Sequence, residues 1–261
     1  MAENKTGVEY KDLLPGAKNI IAVASGKGGV GKSTVAANLA VALTKLGYKT
    51  GLLDADIYGP SITKMFGTSI KDIQVIDEKI EPVEAHGVKT ISIGNLVDPN
   101  SATIWRGPLI HKALTQLITD VNWGELDYMI LDLPPGTGDV QLSIVQSLKV
   151  SGVIAVSTPQ TMSLADVIKS IDMFRKVDVP VLGIVENMAY FICDSCDKKH
   201  FIFGDSGAKK YAEQIGMELL AQIPIDQKIM SSGEDGLPFA VIDDGDIYES
   251  MASKVIDSLK K

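Results

Sequence analysis

Along the chain, short apolar runs rich in β-branched residues alternate with stretches of helical period. IIAVAS (20–25), TGLLDAD (50–56), VKTISIG (88–94), YMILDLP (128–134), GVIAVST (152–158), VPVLGIVEN (179–187) and LLAQIPI (219–225) read as strands. Their near-continuous hydrophobicity predicts burial on both faces, as in a parallel sheet covered by helices. Helical candidates at 32–46, 109–121, 139–148, 163–176, 206–216 and 246–260 fill the intervals. The alternation predicts an α/β doubly wound fold: a mostly parallel, twisted sheet with helices on both faces. Residues 1–18 read as a loosely held extension, 19–261 as one domain, and 190–204 as an insertion within it. In the last helix Ile247, Met251, Val255 and Leu259 form one apolar stripe beside a face of mixed charge. That is the stripe of a packed terminal helix rather than a basic membrane anchor.

Composition narrows the function classes. The formal net charge of −8 over 261 residues counts against a basic nucleic-acid surface. The N-terminal MAENKTGVEYKDLLPGAKN carries no apolar signal region, and runs such as IIAVA are far too short to span a bilayer. The expectation is a cytoplasmic protein with neither nucleic acid nor membrane as partner. Two cysteines, Cys193 and Cys196, cannot staple a chain of this length. In a reducing compartment such a pair points to metal or redox chemistry.

The strongest motif lies between the first strand and the first helix. Gly26-Lys27-Gly28-Gly29-Val30-Gly31-Lys32-Ser33 fits G-x-x-x-x-G-K-[ST], followed by Thr34. Glycines let successive backbone N–H groups close around phosphate oxygens, and the helix start presents its positive dipole end to the same anion. Lys32 is expected to reach the β- and γ-phosphates and the Ser33 hydroxyl to ligate Mg²⁺. Asp132, at the end of YMILD, is the candidate carboxylate behind the metal's water shell. Gly136 and Gly138 leave the loop after it free to respond to a γ-phosphate. Asp54 and Asp56 end the second strand; their spacing predicts both side chains on one face if the strand continues, near the γ-phosphate. One of them is the candidate acceptor for the attacking water.

Lys27 is one lysine more than such a loop needs. SGKGGVGKST resembles the deviant Walker A motif, KGGxxGK[ST], of the MinD and nitrogenase iron-protein class of SIMIBI-type P-loop ATPases. With LDADIYGPS, WRGP (105–108), LDLPPGTGD, ENMAYFIC and CDSC following in order, the chain is similar to the Mrp/ApbC family of iron–sulfur cluster carrier ATPases from about Asn19 to Ile225. The resemblance implies that Lys27 crosses a homodimer interface to the partner's phosphates, where it neutralises developing charge as an arginine finger does. It also implies that Asn187 reads the adenine edge of ATP and that Pro224 and Asp226 pack around the base. Trp105, Arg106 and Gly107 match the family's RGP segment, without an assignable chemistry.

CDSC sits between aromatic-rich stretches and reads as a hairpin knuckle, which aims two thiolates at one point. A tetrahedral site wants four ligands, and two subunits about a twofold would supply Cys₄. The resemblance implies a bridging [4Fe–4S] cluster held by Cys193 and Cys196 of both chains; zinc suits the same ligands. His200 completes C-x-x-C-x-x-x-H but reads as a solvated hairpin residue. Asp194 and Asp197 are expected to raise the thiol pKa values. The implied function is an ATP-hydrolysing carrier that receives a cluster from a scaffold and passes it to apo-proteins. The alternative is a MinD-like regulatory ATPase with a zinc-bridged dimer.

Overall fold

The structure, a computed structural model, describes residues 13–95, 107–242 and 246–260. The strands are β1 (Ala17–Ser25), β2 (Thr50–Asp54), β3 (Gln74–Ile76), β4 (Lys79–Glu81), β5 (Val83–Ala85), β6 (Val88–Ser92), β7 (Leu126–Asp132), β8 (Gly152–Ser157), β9 (Val181–Glu186), β10 (Phe191–Ile192), β11 (Lys199–His200) and β12 (Leu219–Gln222). The helices are α1 (Lys32–Lys45), α2 (Ile62–Met65), α3 (Gly107–Thr119), α4 (Asp139–Ser147), α5 (Thr161–Lys176), α6 (Gly207–Gln214), α7 (Gln227–Glu234), α8 (Phe239–Ile242) and α9 (Asp246–Ser258).

Eight strands form one sheet in the order β12-β9-β8-β1-β7-β2-β6-β5. The pairs from β12 to β6 are parallel, and only the edge pair β5–β6 is antiparallel. The central strands are buried along their length because successive residues serve opposite faces. Ile21 and Val23 of β1 pack with Val35, Leu39 and Leu43 of α1 and with Tyr248, Met251 and Val255 of α9. Ile20, Ala22 and Ala24, pointing the other way, join Ile110, Leu114 and Leu117 of α3 and Ile144 and Val145 of α4. The expected fold class therefore holds, with the terminal stripe buried on the sheet's α1 side. Among the described residues no helix is long and apolar enough to cross a membrane.

One boundary moves. The fold begins before residue 19: β1 starts at Ala17, Leu14 is buried in the α3 cluster, and the Ala17 N–H donates to the Leu14 carbonyl at 3.0 Å. A polar stretch hid one anchoring leucine. The antiparallel β5, the β3–β4 hairpin and the short helices α2, α7 and α8 carried no periodic signal long enough to read. The parallel strands matter most for function, since all their carboxyl ends open on one edge. There the chain order reverses on either side of β1, the switch point at which open α/β sheets bind ligands.

Candidate functional site

The loop after β1 supplies the floor of the site. Gly31 precedes α1 in the left-handed conformation at φ 82°, which a side chain rarely adopts. A Cβ there would also lie 2.1 Å from Asn187 Nδ2, so the loop and the end of β9 meet with no room for one. Asn187 holds that contact by donating from Nδ2 to the Val30 carbonyl at 2.8 Å, while its own N–H donates to Ser157 at 2.8 Å.

Lys32 is buried, and its ammonium donates to Asp132 Oδ1 at 2.6 Å and to Ser33 Oγ at 3.3 Å, with Asp56 Oδ2 at 3.7 Å. The structure thus brings together four of the residues singled out in the sequence: Lys32, Ser33, Asp56 and Asp132. Asp132 is fully buried, and its second oxygen, Oδ2, has no hydrogen-bond partner among the described residues. An anionic oxygen kept from water without a donor is costly unless a cation or water meets it.

The condition for Asp54 and Asp56 to share a face, a strand that continues through both, is not met. The strand ends at Asp54 and the chain turns, with the Gly59 N–H closing on the Asp56 carbonyl at 3.2 Å. Asp54 points inward and accepts from Asp56 N at 3.0 Å, Ser61 N at 3.1 Å, Ile62 N at 3.2 Å and Ser92 Oγ at 2.9 Å. It ties the acidic turn to the start of α2, and its oxygens are already occupied. Asp56 is the carboxylate left facing the lysine. The two-residue spacing argued for one face only while the strand lasted. Burial pushes Asp54 up to about 7, and Asp132, its register partner on β7, adds to that by repulsion; the Ser92 hydroxyl, the Ile62 N–H and the charge of Lys32 oppose the rise without cancelling it. Burial raises Asp56 as well, against the pull of Lys32.

Lys27 is half-buried. Its carbonyl accepts from Ser25 Oγ at 2.9 Å, and among the described residues its side chain is in no ion pair. Beyond the loop lies a cavity of about 650 Å³ whose walls include Gly31, Thr34, Asn187, Pro224 and Asp226. The residues expected around the base therefore converge on one hollow. The side chain of Asp226 has a second task, accepting from Lys228 N at 2.7 Å as the N-cap of α7.

The cysteines sit at the tip of the β10–β11 hairpin, where Phe191 pairs with His200 and Ile192 with Lys199. The Cys193 carbonyl accepts from Cys196 N at 3.3 Å and Asp197 N at 2.9 Å, which closes the knuckle. Cys196 is exposed and Cys193 half-exposed, and both are free thiols. The expectation that neighbouring acids raise the thiols does not hold for Cys193. Its pKa is lowered by the Ser195 N–H, then by the Cys196 thiol and N–H, which outweigh Asp194. Among the described residues no group of three His, Cys, Asp or Glu side chains converges as a metal site, so His200 adds no third ligand to the pair. Trp105 and Arg106 lie outside the described residues, and Gly107 opens α3.

Sequence reasoning missed α7. It passes between the 650 Å³ cavity and a second cleft of about 500 Å³ beside Cys193. The Asp226 N-cap was its one legible signal.

Comparison with known proteins places this arrangement. A family model described as ParA, NUBPL iron-transfer P-loop NTPase, matches residues 16–260. An "Iron-sulfur cluster carrier protein" of Aquifex aeolicus is 50% identical over 230 residues, covering 87% of this chain; this chain spans 63% of that relative's length. A protein of the same description from Pseudomonas fragi is 49% identical, over 92% of this chain and 85% of its own. An Arabidopsis thaliana "Iron-sulfur protein required for NADH dehydrogenase, mitochondrial" is 48% identical, over 95% and 81%. Among solved structures, the nucleotide-binding protein of Archaeoglobus fulgidus in complex with ADP superposes with a TM-score of 0.78 at 42% identity, over 89% of this chain and 93% of that one. The Pyrococcus furiosus cell-division ATPase MinD, at 21% identity and a TM-score of 0.63, shares the fold. The family expected from the motifs is the family found: this chain belongs to the ParA-type P-loop NTPases, in the group described as NUBPL iron-transfer P-loop NTPases.

Proposed function

We propose that the protein is an ATP-hydrolysing iron–sulfur cluster carrier that acts as a homodimer. It would take a cluster from a scaffold, hold it between the Cys193 and Cys196 thiolates of two chains, and pass it to apo-proteins. The observation that carries this reading is the pairing, in one chain, of a complete floor for phosphoryl transfer with half of a thiolate site. Lys32, Ser33, Asp56 and Asp132 lie within one cluster of contacts, whereas the two thiols on an exposed hairpin have no further ligand among the described residues. A second copy of the hairpin about a twofold axis would complete four sulfur ligands.

Hydrolysis rests on positioning and charge neutralisation. Asp56 accepts a hydrogen bond from a water and aims its oxygen at the γ-phosphorus. As that bond forms, the bond from phosphorus to the β,γ-bridging oxygen breaks, and the negative charge gathering on ADP is met by Lys32 and the loop amides. Lys27 of a second subunit supplies the remaining positive charge, consistent with its freedom from ion pairs among the described residues. The residues also fit Mg²⁺: the Ser33 hydroxyl beside Lys32 and the unpartnered Oδ2 of Asp132 would hold the ion and its waters. When bound, the ion would supply positive charge against the nucleotide's phosphates.

Anaerobic reconstitution with iron and sulfide tests the reading. A broad absorption at roughly 400 nm that disappears in Cys193→Ser supports a cluster on the hairpin. Uptake of zinc with no cluster would overturn the carrier reading and leave a zinc-bridged switch.

A further inference from the structure

We propose that α7 is the lever through which an occupied nucleotide cavity repositions the cleft beside the cysteines. The inference rests on the carrier reading and assigns that site its internal control.

The helix has two working faces. Ile229, Met230, Gly233 and Glu234 line the 650 Å³ cavity, whereas Gln227, Lys228 and Ser231 line the 500 Å³ cleft that contains Cys193. At 3.6 residues per turn these are two adjacent stripes on one cylinder. The segment leading into it, Pro224–Ile225–Asp226, borders both hollows. A rigid helix of eight residues cannot shift one stripe and leave the other in place.

Each end of this element is tied to a different part of the site. On the nucleotide side, Lys64 of α2 pairs with Glu234 across the cavity wall. The backbones of α2 and α7 also meet just beyond that pair: a Cβ at Gly236 would lie 2.7 Å from Gly67 Cα. Both glycines have positive φ, and the Gly236 carbonyl is held by His86 Nε2 at 3.0 Å. The start of α2 hangs in turn on Asp54, through the Ser61 and Ile62 N–H groups. On the cysteine side, the Ile225 N–H donates to the Tyr190 carbonyl at 2.7 Å, and Phe191 of β10 forms a parallel bridge with Ile225. The acidic turn, α2, α7 and the leading strand of the cysteine hairpin are therefore one connected series of side-chain and backbone contacts.

The exposed Lys64–Glu234 pair contributes little to stability. Its consequence is geometric, because the ion pair and the glycine contact make α2 and α7 move together. A nucleotide that displaces α2 or fills the cavity against Met230 and Ile229 shifts Lys228 and Ser231 where they face Cys193.

The test uses the metal-free full chain and the rate at which a maleimide alkylates Cys193 and Cys196, read by mass spectrometry with and without saturating ADP or a non-hydrolysable ATP analogue. The inference predicts that nucleotide changes the Cys193 rate by about fivefold or more, the lower range for coupled sites. Glu234→Gln or Lys64→Gln should bring that ratio close to one at saturating nucleotide, and the charge swap Lys64→Glu with Glu234→Lys should restore it. A nucleotide-independent alkylation rate in protein that binds nucleotide and takes up a cluster would overturn the lever and leave the carrier standing. So would a ratio unchanged in both single variants. Failure to bind nucleotide at all would remove the carrier reading and this inference with it.

Discussion

The phosphate loop and the cysteine hairpin are built on opposite physical terms. The loop stands on the central strand of an eight-stranded sheet, and the ion pair beneath it is buried: Lys32 is 5% exposed and Asp132 of β7 not at all. The hairpin consists of two strands of two residues each, with its thiols facing solvent. A site that transfers a phosphoryl group gains from charges fixed in advance in a low-dielectric setting. A site that receives and gives up cargo has to be reached by another protein and, on the proposed reading, by a second copy of itself. The difference teaches that buried charge is placed at the strand ends, and that the hairpin is tied to the rest of the fold through Ile225, just ahead of α7.

That contrast can be broken in order of expected effect. Lys27→Ala should lower hydrolysis by about 10³-fold or more while nucleotide binding by the isolated chain persists, as for the loss of an arginine finger. Turnover and calorimetric titration on the same preparation separate the two, and equal loss of both would remove the role across the interface. Lys32→Ala should abolish tight nucleotide binding and also destabilise the nucleotide-free chain by about 3–5 kcal/mol, because Asp132 would remain buried without its cation. Urea unfolding reads that cost directly.

Asp54→Asn should cost about 1–3 kcal/mol, since an amide presents N–H groups to some of the four donors that the carboxylate now satisfies. The same residue sets a pH dependence. Its pKa is about 7 in the folded chain against an ordinary 3.8, so between those values the native state holds a proton that the unfolded state has released. Stability should therefore fall as pH rises from about 4 to about 7 and level off above, with Asp56, also raised, adding in the same direction. In Asp54→Asn the slope across that window should shrink. Smallest of all, Cys193→Ser should change the stability of the metal-free chain by less than about 0.5 kcal/mol, as for a solvent-facing residue. A larger loss would mean that the hairpin is part of the core rather than attached to it.

Much of this was legible in the sequence, and the limits have physical causes. The parallel strands announced themselves because burial on both faces leaves unbroken apolar runs, and the glycine-rich loop because its spacing is set by phosphate geometry. The spacing of Asp54 and Asp56 could not settle their orientation, because a period of two holds only within a strand and the strand stops at Asp54. α7 escaped because QKIMSSGE spans little more than two turns, too short for a helical period to be read against its neighbours. The lowered pKa of Cys193 came from backbone N–H groups, which every sequence has and none displays.

The central claim is that two chains together complete one thiolate cage. Light scattering coupled to size exclusion, with iron and sulfide counted on the same anaerobic fractions, tests it most directly. The account predicts a dimer carrying about four iron and four sulfide per two chains, reverting to iron-free protein in Cys196→Ser. A cluster held by a single chain, or a dimer whose iron content is indifferent to both cysteines, would contradict it.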